Sequence, residues 1–171
     1  LNFVPIFVNT EKALYANRRA GNTDDELERL SKLWQDPSYL FKFFKRNEAK
    51  LKQFCKNVEI DEAVMQTIKD AENLFKKVKA AKSSKAALDG LFFPYHHEDT
   101  STEFVQMQIY GKNLGAKCNS WLRIYAIKQA NSDYYICGGI IKLTDGMQDS
   151  EGGQDEEKYF NDAQKWLMSK K

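Results

Sequence analysis

Cysteine, proline and histidine are scarce in this chain, and no apolar run approaches the length of a membrane span. Among 171 residues there are three cysteines, three prolines and two histidines. Cys55, Cys118 and Cys137 are an odd number, with no CxxC spacing and no histidine pair nearby. A disulfide framework and a zinc site are therefore both unexpected, and a reducing cytoplasm is the expected location. His96-His97 followed by Glu98 and Asp99 is metal-like in composition. Adjacent histidines on a loop rarely share one ion without further ligands, so no metal and no cofactor is expected. A bilayer span needs about 20 apolar residues. Leu1 to Val8 is apolar but short, lacks a basic flank and contains Pro5, so it does not read as a secretory signal. No membrane association is expected. The chain has no GxGxxG, no GxxxxGK[ST] and no HExxH, so neither a phosphate-cradling glycine loop nor a metalloprotease helix is visible. Nothing suggests a serine or cysteine triad. Net charge is only +2. Nucleic-acid binders usually carry more, so any such role must rest on a local patch.

What is present suits a soluble globular domain: 42% apolar and 29% charged residues. Lys42 to Lys56 and Lys69 to Lys85 are basic segments, and Asp145 to Glu157 is acidic. Such runs are usually solvated helix faces. Asn2 to Val8 reads as a strand that Pro5 confines to an edge or bulge. Asn9 to Asn22 is polar and could hold a short helix around Glu11 to Arg18. Thr23 with Glu26 makes a capping box, and Leu27, Leu30, Leu33 and Trp34 give an amphipathic helix. Asp36-Pro37 starts a second helix, which Asn47 could interrupt. Asp61 caps a third, the longest, which fades at Lys82-Ser83-Ser84-Lys85. Leu88 to Pro94 is a short helical turn, and Glu103 to Tyr110 alternates as a half-buried strand. A last helix runs from Asp155 to Met168. The order is strand, helices, three strands, helix. It predicts a single α+β domain over 1–171, with a mainly helical part over 1–85 and a sheet with a C-terminal helix over 86–171. The three strands are expected as an antiparallel meander, with helices on one face of a twisted sheet.

The best strand pair runs from Trp121 to Met147. Leu122, Ile124 and Ala126 point one way; Trp121, Arg123 and Tyr125 point the other. Gln129 to Asp133 closes a turn. Tyr134 to Ile141 is nearly continuous in apolar residues, as in a strand covered on both faces. Gly138-Gly139 inside it marks a bulge or a close backbone approach, and Cys137 is expected in the core. Arg123, Lys142, Lys112 and Lys117 could hold a phosphodiester, with Tyr125 stacking on a base. The competing reading pairs Arg123 with an acidic residue across the sheet and leaves the aromatics as core.

The segment Trp-Leu-Arg-Ile-Tyr-Ala-Ile, a turn, Tyr-Tyr-Ile-Cys-Gly-Gly-Ile-Ile-Lys-Leu-Thr and a closing helix resembles the RelE/HigB-like toxins of bacterial type II toxin–antitoxin systems. The resemblance covers Leu88 to Trp166. It implies a RelE-like α+β core whose concave sheet face binds messenger RNA on the ribosome and cleaves it without metal, in the cytoplasm, with an antitoxin protein as partner. Arg123 would contact the scissile phosphate and Lys142 would occupy the basic position after the glycine. Lys112 and Lys117 fall in the region that supplies further basic groups. The alternative is a non-catalytic protein of RelE-like fold that binds a protein partner. The chain departs from the pattern after Lys142, where Leu143, Thr144 and Asp145 lead into an acidic segment. No tyrosine stands at its extreme C-terminus. Both departures bear on cleavage more than on fold.

Overall fold

The computed structural model describes residues 1–94, 102–108 and 115–170. Lys112 and the His96-His97 pair lie outside them. Six strands, β1 (Phe3–Val8), β2 (Ala13–Asn17), β3 (Phe92–Pro94), β4 (Thr102–Met107), β5 (Leu122–Gln129) and β6 (Tyr134–Ile141), form one open sheet in the order β1-β2-β6-β5-β4-β3. Neighbours run antiparallel except β2 and β6, which are parallel through Leu14↔Tyr134, Tyr15↔Tyr135 and Ala16↔Ile136. The sheet is therefore mixed. Its helices are α1 (Glu26–Trp34), α2 (Pro37–Arg46), α3 (Glu48–Phe54), α4 (Ile60–Ala80), α5 (Lys85–Asp89) and α6 (Gly153–Met168). The fold is α+β, as expected.

The polar stretch from Asn9 to Asn22 holds strand β2 rather than a short helix. So short a helix gains little on its own. As a strand it is hydrogen-bonded on both sides, to β1 and to β6. Leu14 and Ala16 enter the core, and Tyr15 stacks on Tyr135 at 4.8 Å on the opposite side. Pro5 lies on β1, an end strand of the sheet, beside a register shift between Pro5 and Phe7. Proline is tolerated there because no ladder donor is lost.

Helices lie on both faces of the sheet, not on one. The larger core packs α1, α2 and α4 against Leu122, Ile124, Ala126, Ile136 and Ile141. Trp121 is part of it: its Nε1–H donates to Thr67 Oγ1 of α4 at 2.8 Å, and its ring meets Phe44 and Phe54 edge-on. The smaller core lies on the other face, where Phe160, Ala163 and Leu167 of α6 cover Tyr125, Ile127, Cys137 and Ile140. Cys137 is a buried core thiol, as expected.

Cys55 and Cys118 are joined by a disulfide across 63 residues, contrary to the expectation of free thiols. An odd cysteine count does not forbid one bond. The pairing follows from packing, which brings the end of α3 against the segment leading into β5. Gln66 Nε2 donates to the Cys118 carbonyl at 3.0 Å and helps to hold that segment on α4.

Candidate functional site

Arg123 occupies the second position of β5, opposite Ile140 of β6. It shares a pleat side with Tyr125, on the face that α6 covers. The side chain is half-buried and bends back along its own strand. Its Nη1 donates to the Ser120 carbonyl at 2.9 Å and to the Leu122 carbonyl at 2.8 Å. Lys142 follows directly after β6, and its backbone N–H donates to the Trp121 carbonyl at 2.7 Å, which extends the hairpin by one rung. Lys142 is half-buried too. Burial, and then the Arg123 charge beside it, hold its ammonium below the ordinary lysine value, against an opposing pull from Asp145. The fold thus brings Arg123 and Lys142 together.

The other residues do not join them. Tyr125 is 1% exposed, its ring packed against Phe160 at 5.9 Å beneath α6. A ring so placed has no open face for a base, so its role is core packing. Lys117 lies at the far end of α4's first turn. It donates to the Asn57 carbonyl at 2.9 Å and pairs with Glu62 at 2.8 Å. Glu62 is held below its ordinary value by the Glu59 backbone N–H and then by Lys117.

A second charged group is more buried, and no sequence pattern singled it out. Arg19 Nε meets Glu26 at 2.9 Å and its Nη2 meets Glu156 at 2.5 Å; Arg29 Nη2 meets Glu26 at 2.8 Å and lies 3.9 Å from Glu156. Glu26 and Glu156 are both buried. The group fills the space beside β6 beyond Ile136, where its pairing with β2 ends. Here the glycine pair is explained. A Cβ at Gly138 would overlap the Glu156 carboxylate and approach Arg19 Nη2 to 2.8 Å. A Cβ at Gly139 would come within 2.6 Å of the Arg123 carbonyl and 2.9 Å of Leu30. The strand must be bare on both sides for α1 and the Glu156 side chain to close on it. A bulge at Cys137 shifts the register between Tyr125 and Ala126 at the same place. Burial raises the Glu156 carboxyl despite the opposing pull of Arg19.

Helical spacing holds the one signal that could have found the two carboxylates. Glu26 lies four residues before Leu30, and Glu156 four before Phe160, each one turn ahead of its helix's apolar stripe. Glu26 is committed to two arginines, and the capping box of α1 forms instead between Asp25 and Glu28, with both reciprocal bonds at 3.1 Å. Among the described residues no three potential ligands gather around a common point for a metal. No family model matches the chain, and neither curated proteins nor solved structures provide a match.

Proposed function

We propose that this chain is the toxin-like component of a bacterial toxin–antitoxin pair and acts on messenger RNA through Arg123 and Lys142. The convergence of these two cations at one end of the β5–β6 hairpin carries the reading. Arg123, anchored by two carbonyls, would hold a phosphate and stabilise the negative charge that grows on it. A depressed ammonium has a larger neutral fraction, which suits Lys142 to general-base work. The neutral amine would take the proton of a ribose 2′-hydroxyl as that oxygen attacks the adjoining phosphorus. The bond from phosphorus to the 5′-oxygen then breaks, and that oxygen leaves as a hydroxyl after taking up a proton. The products are a 2′,3′-cyclic phosphate and a 5′-hydroxyl end. A small antitoxin is the expected protein partner and the cytoplasm the place of action.

Two observations favour the second reading, a non-catalytic protein that binds a partner chain. Tyr125 is interior, and Lys117 is spent on Glu62. The Cys55–Cys118 disulfide also speaks for an oxidising compartment rather than a reducing one. Among the described residues no helix is long and apolar enough to cross a membrane.

The test is a translation reaction supplied with the purified protein, with message integrity followed by primer extension. Wild type should stop synthesis and leave cut message. Arg123→Ala and Lys142→Met should each abolish cutting, while circular dichroism shows the fold retained. Equal inhibition by all three proteins, or by none, removes the nuclease reading.

A further inference from the structure

The outer surfaces of α2 and α4 carry a feature that neither core uses. Phe41 is 42% exposed and Met65 55% exposed, and both line one groove of about 500 Å³ with Pro37, Val64, Lys42 and Asp61. Met65 is also a wall of a second groove, of about 150 Å³, which continues past Lys69 towards Gly115 and Ala116. The two hollows therefore share a wall, and together they run along one side of α4. Large apolar side chains left half in water within a concave surface are the usual anchors of an interface.

The rim is basic. Lys42, Lys45 and Lys69 are exposed, and they form no ion pair among the described residues. Lys45 Nζ instead lies 5.8 Å from the centre of the Phe41 ring. Against these three cations stand the exposed carboxylate of Asp61 and, buried in the wall of the second hollow rather than on its rim, that of Asp70, while Glu62 is neutralised by Lys117 at 2.8 Å. A trough between two helices, apolar along its floor and cationic along its edge, is complementary to a helix with an apolar stripe and acidic flanks.

We propose that the α2–α4 groove docks an acidic amphipathic helix of a partner protein, with its apolar side chains on Phe41 and Met65 and its carboxylates on Lys42, Lys45 and Lys69. The groove lies across the sheet from Arg123, so docking there leaves the Arg123–Lys142 pair uncovered. It stands whether or not the chain cleaves RNA.

The probe is a fluorescein-labelled synthetic helix of about 18 residues, the span of five turns, with leucine at i, i+3, i+4 and i+7 and glutamate elsewhere. Its control carries lysine in place of every glutamate. Anisotropy should show saturable binding of the acidic peptide and none of the basic one. Met65→Glu and Phe41→Glu should each weaken binding about tenfold or more, as loss of a central anchor does. Lys69→Glu should weaken it less, and Arg123→Ala should leave it unchanged. Both glutamate variants change exposed side chains, so their melting temperatures should stay near wild type. Equal binding of the two peptides, no binding, or affinity unaffected by Met65→Glu and Phe41→Glu overturns the proposal. So does a concentration-dependent dimer that Met65→Glu dissolves and the acidic peptide leaves intact, because the occupant is then a second copy.

Discussion

The two faces of the sheet are built on different principles. The face under α1, α2 and α4 is broad and dry: Trp34, Phe44, Leu40, Leu51, Leu74 and Trp121 are all 1% exposed or less. Its polar content is small and satisfied, as in the Trp121–Thr67 hydrogen bond. The face under α6 is narrow, with Phe160, Ala163 and Leu167 as its apolar helix contribution. At its border the Arg19–Glu26–Arg29–Glu156 group takes over where apolar cover runs out. A wide interface can rely on burial alone. A single helix of 16 residues supplies too little, and charge fixes its position instead.

The largest loss should come from hollowing the broad face. Trp121→Ala removes a fully buried indole and leaves Thr67 Oγ1 without its donor. About 3–5 kcal/mol of stability is expected to be lost, the range for a large aromatic core truncation. Phe160→Ala on the narrow face should fall at or below the lower end, about 3 kcal/mol, because α6 can settle into the space. Urea unfolding of the two variants measures the difference. If Phe160→Ala costs more than Trp121→Ala, the contrast between the faces is wrong.

A smaller effect, with a distinct signature in pH, belongs to Glu156. Burial raises its carboxyl above the ordinary value of 4.5, although Arg19 and Arg29 pull the other way, and Glu26 and the Cys137 thiol share the site. The folded state then binds a proton more readily than the unfolded chain. Stability from this group is greatest below the unfolded value and declines as pH rises through the window between the ordinary value and the raised one. Glu156→Gln keeps the shape and removes the titration. Because the folded protein favours the uncharged form of this carboxyl, the neutral isostere should cost little or nothing at neutral pH. It should also flatten that part of the stability–pH curve. An unchanged curve in denaturant titrations would assign the slope to other carboxylates.

The contrast between the faces also marks what periodicity alone could reveal. Apolar stripes at Leu27-Leu30-Trp34 and Phe160-Ala163-Leu167 were legible, as were the Asp36-Pro37 start and the break at Asn47. The hairpin of β5 and β6 was legible too, because alternation and turn chemistry agree there. Strand β2 was not. Its five residues carry no clear period, and its partner β6 is 120 positions away at Leu14↔Tyr134, so only tertiary pairing defines it. The choice of face for α6 was hidden for the same reason, since an amphipathic helix does not say which side of a sheet it covers. The Cys55–Cys118 bond depends on how α3 meets the segment before β5, a distance no spacing rule encodes. Of the site, Arg123 and Lys142 could be picked out because a strand arginine and a post-glycine lysine break an apolar pattern. Tyr125 was misread because an aromatic on the arginine's pleat side looks exposed until α6 is placed over it. The salt-linked group was missed because its four members lie on three separate segments.

The smallest effect should come from the surface counterpart of that buried group. Arg46 pairs with Glu151 at 2.8 Å, and both side chains are substantially exposed. Asn47 Nδ2 also donates to Glu151, and to the Phe43 carbonyl at 2.9 Å, so the junction of α2 and α3 touches the segment before α6 twice over. Distance alone would rank the Arg46–Glu151 pair with Arg29–Glu26, which has the same 2.8 Å separation. Solvent separates them. Water screens the exposed pair and hydrates either partner when the other is lost, whereas Glu26 is closed off from it. Arg46→Ala should therefore leave the melting temperature nearly unchanged, and raising salt should change it no further. Arg29→Ala should lower it clearly at any salt concentration, because Glu26 would keep only Arg19. Matched losses from the two substitutions would mean that contact distance rather than burial governs these pairs, and the distinction drawn between the protein's interior and surface charges would fail.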